Sequence, residues 1–323
     1  MTQRPFQADP VLTAIAIGYM NPQASYIADI VLPRSDVGGE TFKYSTYPLA
    51  EAFNVPDSRV GRRGQVQQVE FSGDQAEATV EDFGLDTPIV VSDIEAARAA
   101  RAAGTSNFDP EAHSVMMLTD TVINCREVRV AQKIFNAGTY AAGRKTLLAG
   151  NTQFSDYVNS DPIGVINAGA DATLVFRPNL GIMGRQVWSK LKSHPKIVNA
   201  VKGNVTNQGN VTLEQFTELF ASEGIQRWVI GDTWYNTAKP GQAPVLTRAW
   251  GKHISLIHQN PIASVQGGGV TFGLTAQFGG KIAGRIEDPD IGLQGGYRVR
   301  SGERIKELIL AQDVGYFIEN AVA

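Results

Sequence analysis

Hydrophobic and polar residues alternate with period two through Glu40-Thr41-Phe42-Lys43-Tyr44-Ser45-Thr46-Tyr47, then again over residues 65–71 and 76–83. This alternation predicts a long β-ribbon over residues 39–90. Phe42 and Tyr44 lie on one of its faces, and Ala76, Ala78 and Val80 lie on one face of the return strand. Its tip, Arg59-Val60-Gly61-Arg62-Arg63-Gly64, is basic. Two strands alone are marginal in water, so a ribbon of this length calls for a surface to lie on. Another copy of the same chain is the natural supplier, which points to assembly before catalysis.

The period then changes to three and four. Val115, Leu118, Val122, Cys125, Val128, Ala131 and Phe135 form a continuous apolar stripe, widened by Met116, Ile123, Val130 and Ile134. Asp109 is a suitable N-cap, Pro110 fits the first helical position, and Gly138 is the candidate C-terminal cap. The pattern predicts one helix over 109–137, about 40 Å long. An Ala-rich helix before it opens on the capping box Ser92-Asp93-Ile94-Glu95 and stops near Gly104.

Residues 1–38 hold short apolar patches broken by Pro10, Pro22 and Pro33, which reads as an extended arm. The middle of the chain is mixed, with helices expected near 162–171, 181–192, 195–202 and 213–222. The last of these opens on a second capping box, Thr212-Leu213-Glu214-Gln215. Short strands are expected at 173–176, 227–230, 245–250 and 254–257. Alternation returns over 269–286. A hairpin follows, in which 297–300 turns at Ser301-Gly302 into 304–310, and 314–318 makes a last buried strand. The fold class is α+β.

Composition narrows the function. Hydrophobic residues at 43% and charged residues at 19% mark an ordinary folded protein. Lys plus Arg number 29 against 32 Asp plus Glu, a formal charge of −3, which argues against a dedicated duplex-DNA binder. The one cysteine, Cys125, rules out an intramolecular disulfide framework and is expected to be buried in the apolar stripe. Neither a signal-peptide core nor a membrane-length apolar run is found, so a soluble intracellular product is expected.

Candidate chemistry is sparse. His113, His194, His253 and His258 form no H-x-x-x-H pair and read as core-edge or surface residues. Gly267-Gly268-Gly269-Val270-Thr271-Phe272-Gly273 lacks the lysine and helix of a phosphate loop. Glu287-Asp288-Pro289-Asp290 reads as a solvated acidic turn. No catalytic, cofactor-binding or metal residue is assigned, and no enzyme is expected. For the tip arginines, one reading is a solvated hairpin end. The other is an intersubunit clamp whose guanidinium groups reach carboxylates or carbonyls on a neighbour. Nucleic-acid contact ranks third, because the flanking arms are neutral to acidic and lack interleaved stacking aromatics. The candidate intersubunit residues are therefore Arg59, Arg62, Arg63, Phe42 and Tyr44.

An N-terminal arm, an extended hairpin, a strut helix, a mixed α/β body and a C-terminal hairpin, in that order, resemble the major capsid proteins of tailed bacteriophages. That family shares its fold with encapsulins. The sharpest local echo is Val299-Arg300-Ser301-Gly302-Glu303-Arg304-Ile305 through Leu310, then Tyr316-Phe317-Ile318. Val60-Gly61-Arg62-Arg63-Gly64, Val187-Trp188-Ser189-Lys190-Leu191, His194-Pro195-Lys196-Ile197-Val198 and Ala249-Trp250-Gly251-Lys252 also look typical of it.

The resemblance implies an N-arm over 1–38 and an extended loop over 39–90. A peripheral domain would comprise 91–164 and 266–313 around spine helix 109–137, and an axial domain 165–265 and 314–323. It also implies a structural subunit of an icosahedral head enclosing double-stranded DNA, built from hexamers and pentamers of the chain. Such a subunit is assembled in the host bacterial cytoplasm and carried in the virion. Its implied partners are a portal protein, a possible decoration protein and packaged DNA by non-specific contact only, with no membrane and no cofactor. A fused scaffold would need a long charged extension, for which residues 1–7 leave no room, so a separate scaffolding protein is implied. No covalent cross-link between Lys43 and Asn260 is expected. The alternatives are an encapsulin-type nanocompartment shell, or a soluble α+β enzyme with a compact ligand pocket.

Overall fold

A computed structural model describes residues 7–8, 26–46, 53, 55, 57–60, 62, 64–66, 68, 74–105, 108–203, 208–239, 241–265 and 269–323. The arm is not simply extended: after β1 (Gln7–Ala8), its described part forms a one-turn helix α1 (Ala28–Val31) and strand β2 (Arg34–Asp36). The ribbon strands β3 (Thr41–Thr46) and β4 (Asp74–Thr79) pair antiparallel, Phe42 opposite Ala78 and Tyr44 opposite Ala76. Val80 interrupts the return strand, and β5 (Glu81–Val90) leaves the ribbon for another sheet.

Helix α2 (Val91–Ala102) follows β5 without a loop. Its N-cap is extended Val90, with no side-chain cap, so the expected capping serine Ser92 lies inside the helix. Strand pairing explains the shift, because Val90 is still in register with Gly296. The spine helix α3 (Pro110–Ile134) opens as predicted, the Asp109 carboxylate accepting the N–H groups of Glu111 and Ala112. It closes sooner, at Ile134. Asn136 then caps a 3-10 turn over Ala137–Thr139, so Gly138 is not the helix cap.

The second half of the body begins with β6 (Lys145–Leu147), α4 (Pro162–Asp171), β7 (Leu180–Gly184) and α5 (Arg185–Leu191). Helices α6 (Pro195–Lys202) and α7 (Leu213–Leu219) follow, the latter with the expected Thr212–Gln215 capping box in place. Next come β8 (Arg227–Gly231), the hairpin β9 (Trp234–Asn236) with β10 (Leu246–Arg248), and β11 (Ile254–Ile257). Where one helix was predicted over 181–192, the first residues are strand. All of β7 is buried between β8 and β11, and an apolar run that short fits either element. The strand expected at 173–176 is instead a tight turn.

The chain ends with β12 (Gly273–Gln277), β13 (Ile282–Asp288), β14 (Gly296–Ile309) and β15 (Gly315–Glu319). The hairpin predicted at Ser301-Gly302 does not exist, because β14 runs straight through it. Ser301 is buried, its Oγ 3.1 Å from Thr119 Oγ1 on α3. Gly302 stands opposite Gly84 of β5, where an added Cβ would fall 2.6 Å from the Phe83 carbonyl oxygen. This glycine permits close strand approach, not a turn.

One sheet has the order β1-β13-β14-β12-β2, with β5 along the other edge of β14. The other has the order β6-β15-β11-β7-β8 and carries α4 to α7 on a core of Ile166, Trp188, Ile197, Phe216, Trp228 and Leu256. A further core joins α1 and the end of α3 to that second sheet through Ile27, Val31, Val130, Ile134, Trp250 and Phe317. Side-chain alternation along β12 sends Thr275 toward α3 and sends Leu274 and Ala276 to the ribbon side. Spine helix and ribbon base therefore hold opposite faces of the six-stranded sheet.

Candidate assembly surface

The ribbon base is built into its own chain. Phe42, only 9% exposed, packs with Val37, Val80, Leu274, Ala276 and Leu308, while Tyr44 and Ala78 cover the cluster from the ribbon side. Beyond this base the described loop residues face solvent. Phe53, Val55, Val60 and Val66 are exposed, Val55 by 91%. Arg59 and Arg62 are exposed as well, with the Arg59 backbone N–H donating to Asp57 Oδ1 at 3.0 Å. Arg63 lies outside the described residues. The expected contact residues thus divide: Phe42 and Tyr44 seat the ribbon, and the arginines belong to its reach.

A second feature escaped the sequence pattern. The buried face of α3 carries Arg126 and Glu127, while Cys125 and Met116, expected in the apolar stripe, are exposed. Glu127 is 0% exposed. Its Oε1 accepts the Ile27 N–H at 2.8 Å and the Trp250 Nε1–H at 2.6 Å, and its Oε2 accepts the Ala28 N–H at 2.8 Å. The carboxylate therefore caps α1, which has no side-chain cap of its own. Arg126 donates to Asp29 Oδ1 at 2.5 Å, Thr275 Oγ1 at 3.1 Å and the Leu32 carbonyl at 3.3 Å. Asp29 also takes Arg34 Nε at 2.8 Å, and Arg34 reaches Glu303 at 2.8 Å. Burial pushes the Glu127 carboxyl above the usual range, against the pull of its N–H donors. Burial acts the same way on Asp29, but Arg126 and Arg34 outweigh it and hold that carboxyl below its ordinary value. The signal available in the sequence was a pair of adjacent opposite charges inside an apolar stripe.

Opposite charges line up across β5 and β14. Asp86 meets Arg300 at 2.9 Å and Asp82 meets Arg304 at 3.4 Å, both directly opposite in the ladder, while Glu81 takes Lys306. Arg304 also reaches Glu40 at 2.9 Å, tying the start of the ribbon to β14. The furrow over Gly84 and Gly302 is bordered by these paired groups rather than by convergent free ones.

Two of the histidines serve the fold. His194 is buried and caps α6. Its Nδ1 accepts the Lys196 N–H at 3.3 Å, its Nε2 lies 3.0 Å from Ser160 Oγ, and burial pushes its pKa down. His253 Nδ1 accepts the Asn320 N–H at 3.0 Å. Among the described residues, no three His, Cys, Asp or Glu side chains gather to hold a metal ion. No helix described is long and apolar enough to cross a membrane.

Two sheets clasped by a spine helix, with a self-paired ribbon, make up the described fold, and that fold recurs in solved structures. The mature capsid of bacteriophage PhiM1 matches with a TM-score of 0.52 at 13% identity, over 99% of this chain and 92% of that one. The crystal structure of a phage-related protein from Bordetella bronchiseptica RB50 matches with a TM-score of 0.70 at 21% identity, over 98% of both chains. No protein-family model matches the sequence. The major capsid protein of Pseudomonas phage JBD67 is 43% identical over 323 residues, 100% of each chain. The chain belongs to the phage major capsid protein family. The encapsulin alternative has less support, since that full-length relative is a phage protein.

Proposed function

We propose that copies of this chain tile a closed icosahedral head around double-stranded DNA, each laying its ribbon over a neighbour. One observation carries the proposal. Among the described residues, β3 and β4 pair only with each other, and beyond their buried base the loop exposes Phe53, Val55, Val60, Val66, Arg59 and Arg62. Such a surface needs a partner, and Arg59, Arg62 and Arg63 supply guanidinium groups to clamp it.

In this reading the six-stranded sheet with α3 is the peripheral domain and the five-stranded sheet is the axial domain. The expected peripheral domain includes 91–164, and the pairing of β6 with β15 supports counting 145–147 with the axial part instead. Many modest contacts repeated over a shell become strong together, and a formal charge of −3 keeps packaged DNA from clamping to the wall. A separate scaffolding protein, a portal, a possible decoration protein and assembly in the host cytoplasm complete the proposal, with no catalytic step and no cofactor.

Sedimentation velocity and negative-stain imaging of the purified chain test it. Closed shells or ring-shaped oligomers are expected even from the chain alone, the scaffolding protein in this reading directing shell size and not subunit contact, and a monomer at every concentration refutes the proposal. Changing Arg59, Arg62 and Arg63 together to Ser should lower particle yield about tenfold without altering the melting of the dissociated chain. Undiminished yield would remove the clamp.

A further inference from the structure

Among the described residues, two that are not glycine take a positive φ: Val175 at 64° and Asn320 at 52°. Asparagine tolerates this region, whereas a β-branched side chain is strained in it. At Val175 the conformation is enforced. The Phe176 N–H donates back to the Leu174 carbonyl at 2.7 Å, closing a γ-turn around it.

Both flanks of the turn are pinned. On one side the Leu174 N–H donates to the Asp313 carbonyl at 3.0 Å, and Thr173 Oγ1 donates to the Ala170 carbonyl at 2.9 Å. On the other, Arg177 pairs with Asp171 and Glu223 at 2.6 Å each, and its carbonyl lies 3.0 Å from His258 Nδ1. The Phe176 ring lies on the His258 ring, with centroids 4.9 Å apart. The outcome is a rigid tip from which Val175, 55% exposed, and Phe176, 39% exposed, project. Among the described residues, neither side chain joins a buried cluster.

Backbone strain held in place by its surroundings marks binding sites more often than it marks framework. We infer that Val175 and Phe176 form a preformed apolar knob that seats against a second copy of this chain, an inference that rests on the shell function proposed above. Charge excludes one class of occupant. Arg177, the cation of the turn, is already neutralised by two carboxylates, so the rim does not draw a polyanion such as DNA. A shell subunit is flanked by its own copies through contacts that repeat around a ring, and a knob on one face suits such a heterologous contact.

Val175→Gly is the decisive variant, because glycine adopts positive φ freely and the substitution removes strain and knob together. The melting temperature of the dissociated chain should stay within about 3 °C of wild type, relief of strain offsetting the entropy of glycine. Association measured by sedimentation velocity should weaken at least about tenfold, and Phe176→Ser should weaken it similarly. Wild-type association by both variants overturns the knob while leaving the shell intact. A melting temperature that falls in step with association overturns it too, since the turn would then support only its own chain. A wild-type chain that stays monomeric at every concentration sinks the shell function and the knob with it.

Discussion

Glu127→Ala is the sharpest test of how the arm is held. The substitution strands the N–H groups of Ile27, Ala28 and Trp250, all of which donate to this carboxylate in a buried site. Each unpaired donor costs about 1–3 kcal/mol, and a water entering the vacated space relieves part of that. The loss should be about 3–5 kcal/mol, the range for removing one partner of a buried charged contact. Glu127→Gln is the control. Its amide oxygen can replace Oε1 toward Ile27 and Trp250, but its NH2 group then faces the Ala28 N–H, so the loss should be nearer 1–3 kcal/mol, as a rough range. Urea unfolding of the dissociated chain, followed by tryptophan fluorescence and far-UV circular dichroism, gives both numbers. The pH profile adds a second readout. The Glu127 carboxyl is raised above its ordinary 4.5, so the proton-linked part of its contribution, separate from its hydrogen bonds, is complete below that pH and is lost as pH rises through the folded value. Asp29 runs the other way, being lowered from 3.8, and its contribution is lost as pH falls through its folded value. Glu127→Gln should abolish the first dependence and keep the second. If Glu127→Ala lies within about 1 kcal/mol of wild type, or if Gln is as damaging as Ala, then α1 is not held by this carboxylate.

The remaining predictions concern the sheet, the ribbon base and a helix cap. Phe42→Ala should destabilise the dissociated chain by about 3–4 kcal/mol in urea unfolding, and an assembly defect at unchanged stability would show that this ring works between subunits instead. Gly302→Val should force β5 from β14, costing roughly 3 kcal/mol and raising hydrogen exchange of the β5 amides; unaltered exchange would deny the close approach. His194 is pushed below its ordinary 6.5 by burial and then by Lys196, although Asp161 and Asp156 pull the other way. Stability should therefore be full above pH 6.5 and decline as pH falls toward the folded value, as melting temperatures will show. His194→Asn, which keeps a capping acceptor, should flatten that slope.

Elements that present one face to a core were legible from pattern alone: α3, the Thr212-capped helix, and β3 facing β4 all lie where periodicity puts them. Two of the misread segments failed because a residue's partner sat far away in sequence. Ser301-Gly302 has the composition of a turn, yet the glycine answers to Gly84 and the serine to Thr119. The run at 180–184 has no polar face, because Met183 packs into one core and Leu180 and Ile182 into the other. Tip residues Arg59 and Arg62 stay exposed, as a solvated end or a clamp both require, so pattern alone does not choose between those readings.

The displaced stripe on α3 carries the most transferable lesson. A helix that buries Arg126 and Glu127 while leaving Cys125 in solvent contradicts any scheme that ranks residues by hydrophobicity. It becomes intelligible once the four-residue helix α1 is considered. A helix that short cannot stand alone, and its first N–H groups have no partners within it. The carboxylate answers those groups, and the neighbouring guanidinium answers Asp29 and the Leu32 carbonyl at the far end. Adjacent opposite charges within an apolar stripe thus mark the place where an incoming strap is fastened. In a chain whose arm precedes its body, such a pair is where to look for the attachment.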